Sequence, residues 1–322
     1  MFTTTPSKDY TQGWVTGVAA TGTFIKNFAA TWDVIGTKGV PTGWTVKSEA
    51  VPIGRFTVSA NGDQVGFAPG NLQCTVQSAF AVDSQVYIGS GWCFATNQWD
   101  YLGTTDSSNS FTVGKKMDLF GWIGESADYE TYGLCKNNEN VNIYYGTSAS
   151  DRLKADWGDI PGVISACGDG WFTLTQEQWY YAFSTRAGGT VGNTSSARFA
   201  AATIRTDVSG VNGIILFPDG CTIAASEFTT LGKLNTDSAW LTKCTEAQWA
   251  ALEAKGCVFL PAAGTRQGTS LYVVGSRGLY WASSVVDNCM ARQVKFESYG
   301  VTTGQEGYRR EGCSVRLAKR LK

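Results

Sequence analysis

Two segments of this chain open alike and constrain what it can fold into. Thr175-Gln176-Glu177-Gln178-Trp179-Tyr180-Tyr181-Ala182-Phe183 and Thr245-Glu246-Ala247-Gln248-Trp249-Ala250-Ala251-Leu252-Glu253 both begin Thr-x-x-Gln. In such a box the Thr hydroxyl accepts from a backbone N–H of the first turn. The Gln side chain reaches back to the cap's own N–H, so two orphaned donors are satisfied. Helices are therefore predicted at both places, the second stopping at Lys255-Gly256. A Trp follows each box, and Trp249 and Leu252 stand on one face, so these Trp residues are expected to anchor the helices to a sheet. Each helix lies upstream of a short apolar strand, at residues 213–217 and 257–260. Each strand runs into a proline, Pro218 or Pro261, which cannot donate to a ladder.

The remainder reads as strand and loop. Residues 1–55 are rich in Thr and Gly, with Trp14, Trp32 and Trp44 along them. A turn signal at Gly39-Val40-Pro41-Thr42-Gly43 precedes a strand-like Trp44-Thr45-Val46. This stretch reads as a small β-rich leader suited to attachment or homo-oligomerisation. Phe56-Thr57-Val58-Ser59 and Gln64-Val65-Gly66-Phe67 flank Asn61-Gly62, a hairpin cue. Residues 68–170 are loop-heavy, and strands over 279–284, 291–297 and 314–317 make the C-terminal third all-β. The expected class for 56–322 is α+β, with two helices, short antiparallel strands and long loops.

Composition removes whole classes of function. The 322 residues contain no His. That excludes Ser-His-Asp and Cys-His nucleophiles, His general bases and imidazole metal sites. Lys and Arg total 26 against 27 Asp and Glu, which is not the basic footprint of a nucleic-acid binder. With 12 Trp and 43% hydrophobic residues the chain is not disordered. No apolar run reaches the ~18 residues that span a bilayer, so membrane insertion is not expected. The nine cysteines hold no CxxC motif, the nearest pair, Cys244 and Cys257, being 13 residues apart. They read as small buried hydrophobes. Met1-Phe2-Thr3-Thr4-Thr5-Pro6-Ser7 lacks the basic start and apolar core of a secretory signal. Display outside the cell would then follow signal removal or a route such as virion assembly.

Trp171-Phe172-Thr173-Leu174-Thr175 followed by Glu177-Gln178-Trp179-Tyr180-Tyr181-Ala182 resembles the "W-R-L-P-T-E-x-E-W-E-Y-A" segment of proteins related to formylglycine-generating enzyme. Phe259-Leu260-Pro261-Ala262-Ala263-Gly264, Tyr280-Trp281-Ala282-Ser283-Ser284 and Gly312-Cys313-Ser314-Val315-Arg316-Leu317 are similar to the group's "F-L-P-A-A-G", "Y-W-S-S" and "G-F-S-V-R-L". The resemblance covers residues 56–322 and implies a C-type lectin fold. It also implies one of two functions. The first is a copper oxidase that converts a sulfatase cysteine to formylglycine, using a close cysteine pair. No such pair exists here by sequence: Cys289 and Cys313 are 24 residues apart and could meet only through folding. The second is a variable ligand-binding protein of a diversity-generating retroelement, at the tip of a phage tail fibre or on a bacterial surface. A plain structural surface or pilus-type protein is a third reading.

The C-terminal segment favours the variable protein. Within 285–313, Ala291, Val294, Phe296, Val301 and Arg309 can fill the framework positions of that group. The other positions are chemically mixed, and they form the expected ligand-binding surface: Asp287, Asn288, Cys289, Met290, Arg292, Gln293, Lys295, Glu297, Tyr299, Thr302, Thr303, Gln305, Glu306, Tyr308 and Arg310. Trp281 and Phe296 would be the fixed scaffold beneath it. The expected partner is a protein or glycan receptor on a cell surface. Cys313 stands where the group has Phe and, with Cys289, reads as a passenger of surface variation.

No cofactor is expected. The Glu-Pro-Asn, Gln-Pro-Asp and Trp-Asn-Asp tripeptides of calcium-dependent lectins are missing from the sequence. Trp99-Asp100-Tyr101 and Phe217-Pro218-Asp219-Gly220 read as turns, and a structural calcium ion, which needs six to eight oxygen ligands, is not localised by any motif. Trp92, Trp99, Trp122 and Trp157 read as rigid packing rather than sugar-stacking platforms. The basic run from Arg309 to Lys322 reads as a solvated terminus with Arg316 tied into the fold.

Overall fold

The computed structural model describes residues 23–26, 45–48, 50–79, 87–103, 109, 112–122, 156–236, 239–287 and 289–321. Most of the expected leader, with Trp14, Trp32 and Trp44, therefore lies outside the described residues, apart from a two-stranded parallel pairing of Thr23–Lys26 with Thr45–Ser48. β1 (Ile53–Thr57) and β2 (Gln64–Phe67) form the expected antiparallel hairpin. Its turn is closed by Val58 N donating to Asp63 O at 2.8 Å, with Gly62 at φ +84°. β3 (Leu72–Ala79) and β4 (Tyr87–Phe94) pair antiparallel.

α1 (Pro161–Cys167) has no capping box; it starts on Pro161, whose missing N–H is an orphan in a first turn anyway. α2 (Gln176–Tyr180) carries the predicted box on Thr175 and Gln178, but after five residues it widens into a π-turn at Tyr181–Thr185. Trp179 is buried and stacks on Phe67 with ring centroids 5.4 Å apart.

β5 (Phe199–Ile204) and β6 (Val211–Leu216) pair antiparallel. α3 (Glu246–Ala254) repeats the box on Thr245 and Gln248 and is followed by Gly256 at φ +87°. Its Trp249 packs on Phe259, 5.6 Å between centroids, in β7 (Val258–Pro261), which pairs with β6. Both box tryptophans thus anchor their helices as expected. β8 (Arg277–Val285), β9 (Met290–Glu297) and β10 (Gly300–Tyr308) form a separate three-stranded sheet, and β11 (Ala318–Arg320) joins β2 and Trp171–Phe172.

The expected α+β class with a C-type lectin fold does not hold. Strands make up 43% and helical turns 15% of the described residues, and the strands fall into seven small sheets of two to four members. The protein is mostly β with many small sheets, which is not clearly the α+β C-type lectin arrangement. The physical reason lies in the elements themselves. α2 lasts little more than a turn, and glycines at positive φ, such as Gly62, Gly192 and Gly264, end strands after a few residues.

The expected strand at 314–317 is also absent. Ser314 N donates to Leu279 O, while Val315 O and Leu317 O accept from Leu72 N and Ala68 N, so each residue pairs with a different element. Arg316 fixes this path. Its buried guanidinium donates to Asn71 Oδ1, Ala68 O, Gln98 O and Phe259 O at 2.9–3.2 Å, and burial pushes its pKa down to about 10. The basic tail is not a solvated run either: β11 pairs with β2, Lys319 lies over Trp171 and Arg320 over Phe172.

Three apolar clusters result. One, around Trp122, Trp157, Trp171 and Trp281, reaches the β8–β10 sheet from one side. The second, around Phe56, Trp179, Tyr280 and Phe296, reaches it from the other, and the third, around Trp249, lies between α3 and β5–β7. Trp92, Trp122 and Trp157 are buried, as rigid packing requires, and half-buried Trp99 lies under Arg205. Among the described residues no helix is long and apolar enough to cross a membrane.

Candidate functional site

β9 is the central strand of the C-terminal sheet. It pairs Arg277↔Glu297, Leu279↔Lys295 and Trp281↔Gln293 with β8, and Gln293↔Gln305 and Lys295↔Thr302 with β10. Side chains alternate along a strand, so Ala291, Gln293, Lys295 and Glu297 share one face, and Arg292, Val294 and Phe296 the other. The extra residue of β10 between Thr302 and Gln305 is a bulge, which puts both of these on the first face although they are three apart.

That first face carries a polar cavity of about 270 Å³ lined by Thr265, Gln267, Arg277, Leu279, Gln293, Lys295, Gln305 and Glu311, with Met290, Glu306, Gly307 and Tyr308 completing the wall. Glu297 beside it is clamped by two cations. Its Oε2 accepts from Arg277 Nε and Nη2 at 2.8 and 2.6 Å, and its Oε1 meets Lys295 Nζ at 3.1 Å. These hydrogen bonds, that of Lys295 first, hold Glu297 below the usual carboxylate range. Glu311 is shifted the other way by burial, although Gln267 Nε2 donates to it at 3.1 Å.

The floor is fixed. Gln293 is buried, its Oε1 accepting from Cys313 Sγ at 3.2 Å, and Thr265 Oγ1 donates to Gly312 O at 2.9 Å. Trp281 Nε1 donates to Phe120 O at 2.6 Å, and Trp122 Nε1 to Ala282 O at 2.9 Å. Arg309 lies 4.4 Å from the Trp122 ring and donates to the carbonyls of Asp287 and Met290. Phe296, on the opposite face, stacks on Tyr280 at 5.8 Å. Trp281 and Phe296 are both scaffold, one under each face.

The expected surface set therefore divides. Met290, Lys295, Gln305, Glu306 and Tyr308 line the cavity, with Glu297 and Thr302 beside it. Gln293 belongs to its floor, and so does Cys313, which is fully buried and is no passenger of surface variation. Arg292 lies on the other face, donating to Gly304 O at 3.0 Å and Glu306 Oε1 at 2.9 Å. Asp287 and Cys289 shape the β8–β9 turn, where Asp287 Oδ1 accepts from the N–H groups of Cys289 and Met290. Tyr299 is 81% exposed in the β9–β10 turn, and Tyr308 is partly covered by Arg310, 4.6 Å from its ring. Thr303 is half-buried next to the bulge, and Asn288 lies outside the described residues.

Six lining residues escaped the sequence reading: Thr265, Gln267, Arg277, Leu279, Gly307 and Glu311. Arg277 was reachable, because a hairpin centred on residues 286–289 sets it opposite Glu297. Thr265 and Gln267 were not, because they arrive through pairing of Arg266 with Gly312.

Cys289 and Cys313 are free thiols in different settings, a turn and the core. Among the described residues no group of three or more His, Cys, Asp or Glu side chains could hold a metal ion. Trp99-Asp100-Tyr101 and Phe217-Pro218-Asp219-Gly220 are turns, as expected. Asp100 accepts from Asn97 N, and Asp219 from Thr57 N and Arg186. No protein-family model, curated protein or solved structure matches the chain.

Proposed function

We propose that this protein is a non-catalytic ligand-binding protein whose contact surface is the cavity-bearing face of β8–β10. One observation carries the reading. Charged, amide and hydroxyl side chains gather around the cavity, beside Leu279, Trp281 and Ala291 of the first apolar cluster, while Tyr280, Val294 and Phe296 at the alternating positions are buried in the second. Such a surface can change its chemistry without disturbing what holds the sheet in place. The electrostatics support binding over proton transfer, since a carboxylate clamped by Arg277 and Lys295 is a weak base. A rigid face also spares the entropy of ordering loops when a ligand arrives, and Tyr299 and Tyr308 at its edges offer contact area at low rotamer cost.

The partner we propose is a protein or glycan receptor on a cell surface, met by this chain on a virion tail or a bacterial surface. Diversification by a retroelement would supply new sets of these side chains, in keeping with the motif resemblance of the C-terminal third.

Two measurements test this. Replacing Lys295, Glu297, Gln305 and Tyr308 together should change the profile on arrays of glycans and surface proteins while leaving the melting temperature nearly as it was. Unchanged recognition would sink the assignment of the face. The gene's neighbourhood should hold a reverse transcriptase and a near-copy of the 3′ coding end differing at adenines; without them the retroelement part fails.

A further inference from the structure

A second cavity, of about 420 Å³, lies away from the binding face. It is mainly apolar and is lined by Ala50, Pro69, Phe94 and Ala95 together with two thiols, Cys93 and Cys167. Cys93 is in the last turn of β4's register, opposite Gln73, and is half-buried. Cys167 is the last residue of α1, which packs on β4, and is buried. Phe94, the residue next to Cys93, and Ala166, next to Cys167, line the same cavity, so both thiols and their chain neighbours face one space. Both cysteines are free thiols. The other buried thiols are differently placed. Cys313 is engaged with Gln293, Cys74 sits inside the cluster around Trp122, and Cys244 and Cys257 sit inside the cluster around Trp249.

We propose that Cys93 and Cys167 form a reactive dithiol that closes to a disulfide on meeting a low-molecular-weight disulfide, such as oxidised glutathione or cystine, and so ties α1 to β4. This inference does not rest on the binding reading. With glutathione the reaction runs in two steps. The Cys93 thiol, the partly exposed partner, loses its proton and attacks one sulfur of oxidised glutathione. A Cys93–glutathione disulfide forms, the glutathione S–S bond breaks, and one glutathione leaves and takes up a proton. The Cys167 sulfur then gives up its proton and attacks the Cys93 sulfur, expelling the second glutathione as thiol. Two protein thiols are oxidised to one disulfide, and one glutathione disulfide is reduced to two thiols.

The second step has a recognisable signature. Burial, followed by the neighbouring Cys93, pushes the Cys167 thiol up to about 12, so little thiolate is present near neutrality. Thiolate is the attacking species. The Cys93 adduct should therefore build up first and resolve faster as pH is raised.

The test uses the intact native chain. It is incubated with oxidised glutathione, its remaining thiols are blocked with iodoacetamide, and unreduced peptides are mapped by mass spectrometry. The expected result is a Cys93–Cys167 linked peptide, preceded by a glutathione adduct on Cys93. A rise in melting temperature should accompany it, reversed by dithiothreitol and missing in Cys93→Ser. The proposal is overturned if the adduct never resolves, if both thiols stay open to iodoacetamide, if another pair such as Cys221 and Cys257 links instead, or if the link brings no reversible rise. Should Cys93→Ser fail to fold, the peptide map and the dithiothreitol reversal of the unaltered chain decide alone.

Discussion

Asp156 shows how a single side chain can set the pH response of the fold. It caps the short turn Trp157–Asp159, and its Oδ1 takes all three of its hydrogen bonds: Gly158 N at 3.0 Å, Thr173 N at 2.9 Å and Thr173 Oγ1 at 3.3 Å. Burial outweighs these donors and raises its carboxyl to about 6, with Asp159 adding a little. Lys319 and Arg320 face the same groove. A carboxyl raised in the folded state penalises folding once it ionises. The penalty is absent below the unfolded value near 3.8, grows as pH rises, and is complete above about 6. Asp156→Asn keeps a carbonyl oxygen for the three donors and removes the charge. It should stabilise the protein by about 1–3 kcal/mol at pH 7.5 and by close to nothing at pH 4. Urea melts of both proteins at the two pH values check this, and equal midpoints at pH 7.5 would show that the ionised carboxylate carries no burden.

Arg316 is the opposite kind of residue, a buried cation that four oxygens require. Arg316→Met leaves those acceptors unsatisfied and should cost about 3–5 kcal/mol, read as a lower urea midpoint. If the midpoint holds, the path of residues 314–317 is fixed by something else.

At the scale of elements, the β8–β9 hairpin depends on one missing side chain. Gly278 faces Phe296 across the ladder, and a Cβ there would lie 2.0 Å from the Phe296 ring, which is itself stacked on Tyr280. Gly278→Ala should therefore destabilise by about 1–3 kcal/mol. Combined with Phe296→Leu, it should lose less than the two single changes added together, because the smaller side chain makes room. Strict additivity in a double-mutant cycle would show that the ring is not the obstacle.

The same elements show what a sequence reveals. Boxes, hairpin cues and apolar runs are local, and they placed α2, α3, the β1–β2 turn, β6 and β7 within a residue or two. β10 was missed although Val301, Thr302 and Thr303 are β-branched, because Gly300, Gly304 and Gly307 interrupt the segment, and its partner gives it strand character. α1 carries no box. The overall class was misjudged for a related reason. Two well-signalled helices drew attention out of proportion to their length, whereas the many two- and three-residue strands are created by pairing across the fold. At the site, the side chains of β9 were legible, but the cavity was not, since Thr265, Gln267, Arg277, Leu279 and Glu311 of its wall come from outside the 285–308 stretch.

Across the whole molecule, the β8–β10 sheet stands between two apolar clusters, of which Leu279 alone also lines the cavity. Trp281, Leu279 and Ala291 belong to the first, and Tyr280, Val294 and Phe296 to the second. Recognition is thus carried by polar positions that share one face with Leu279, Trp281 and Ala291, while the other face is buried by the second cluster, and the separation of the two roles can be measured. Changing Lys295, Glu297, Gln305 and Tyr308 to Ala removes two partly exposed ion pairs, each worth about 0.2–1 kcal/mol, and no buried apolar group. The quadruple variant should therefore unfold cooperatively, with an unchanged urea m-value and a loss of no more than about 2 kcal/mol. Trp281→Ala empties part of the cluster beneath the same sheet and strips Phe120 O of its donor. It should lose about 3–5 kcal/mol. If the quadruple variant proved as damaging as Trp281→Ala, the outer positions would be part of what holds the fold together, and the face could not change its chemistry freely.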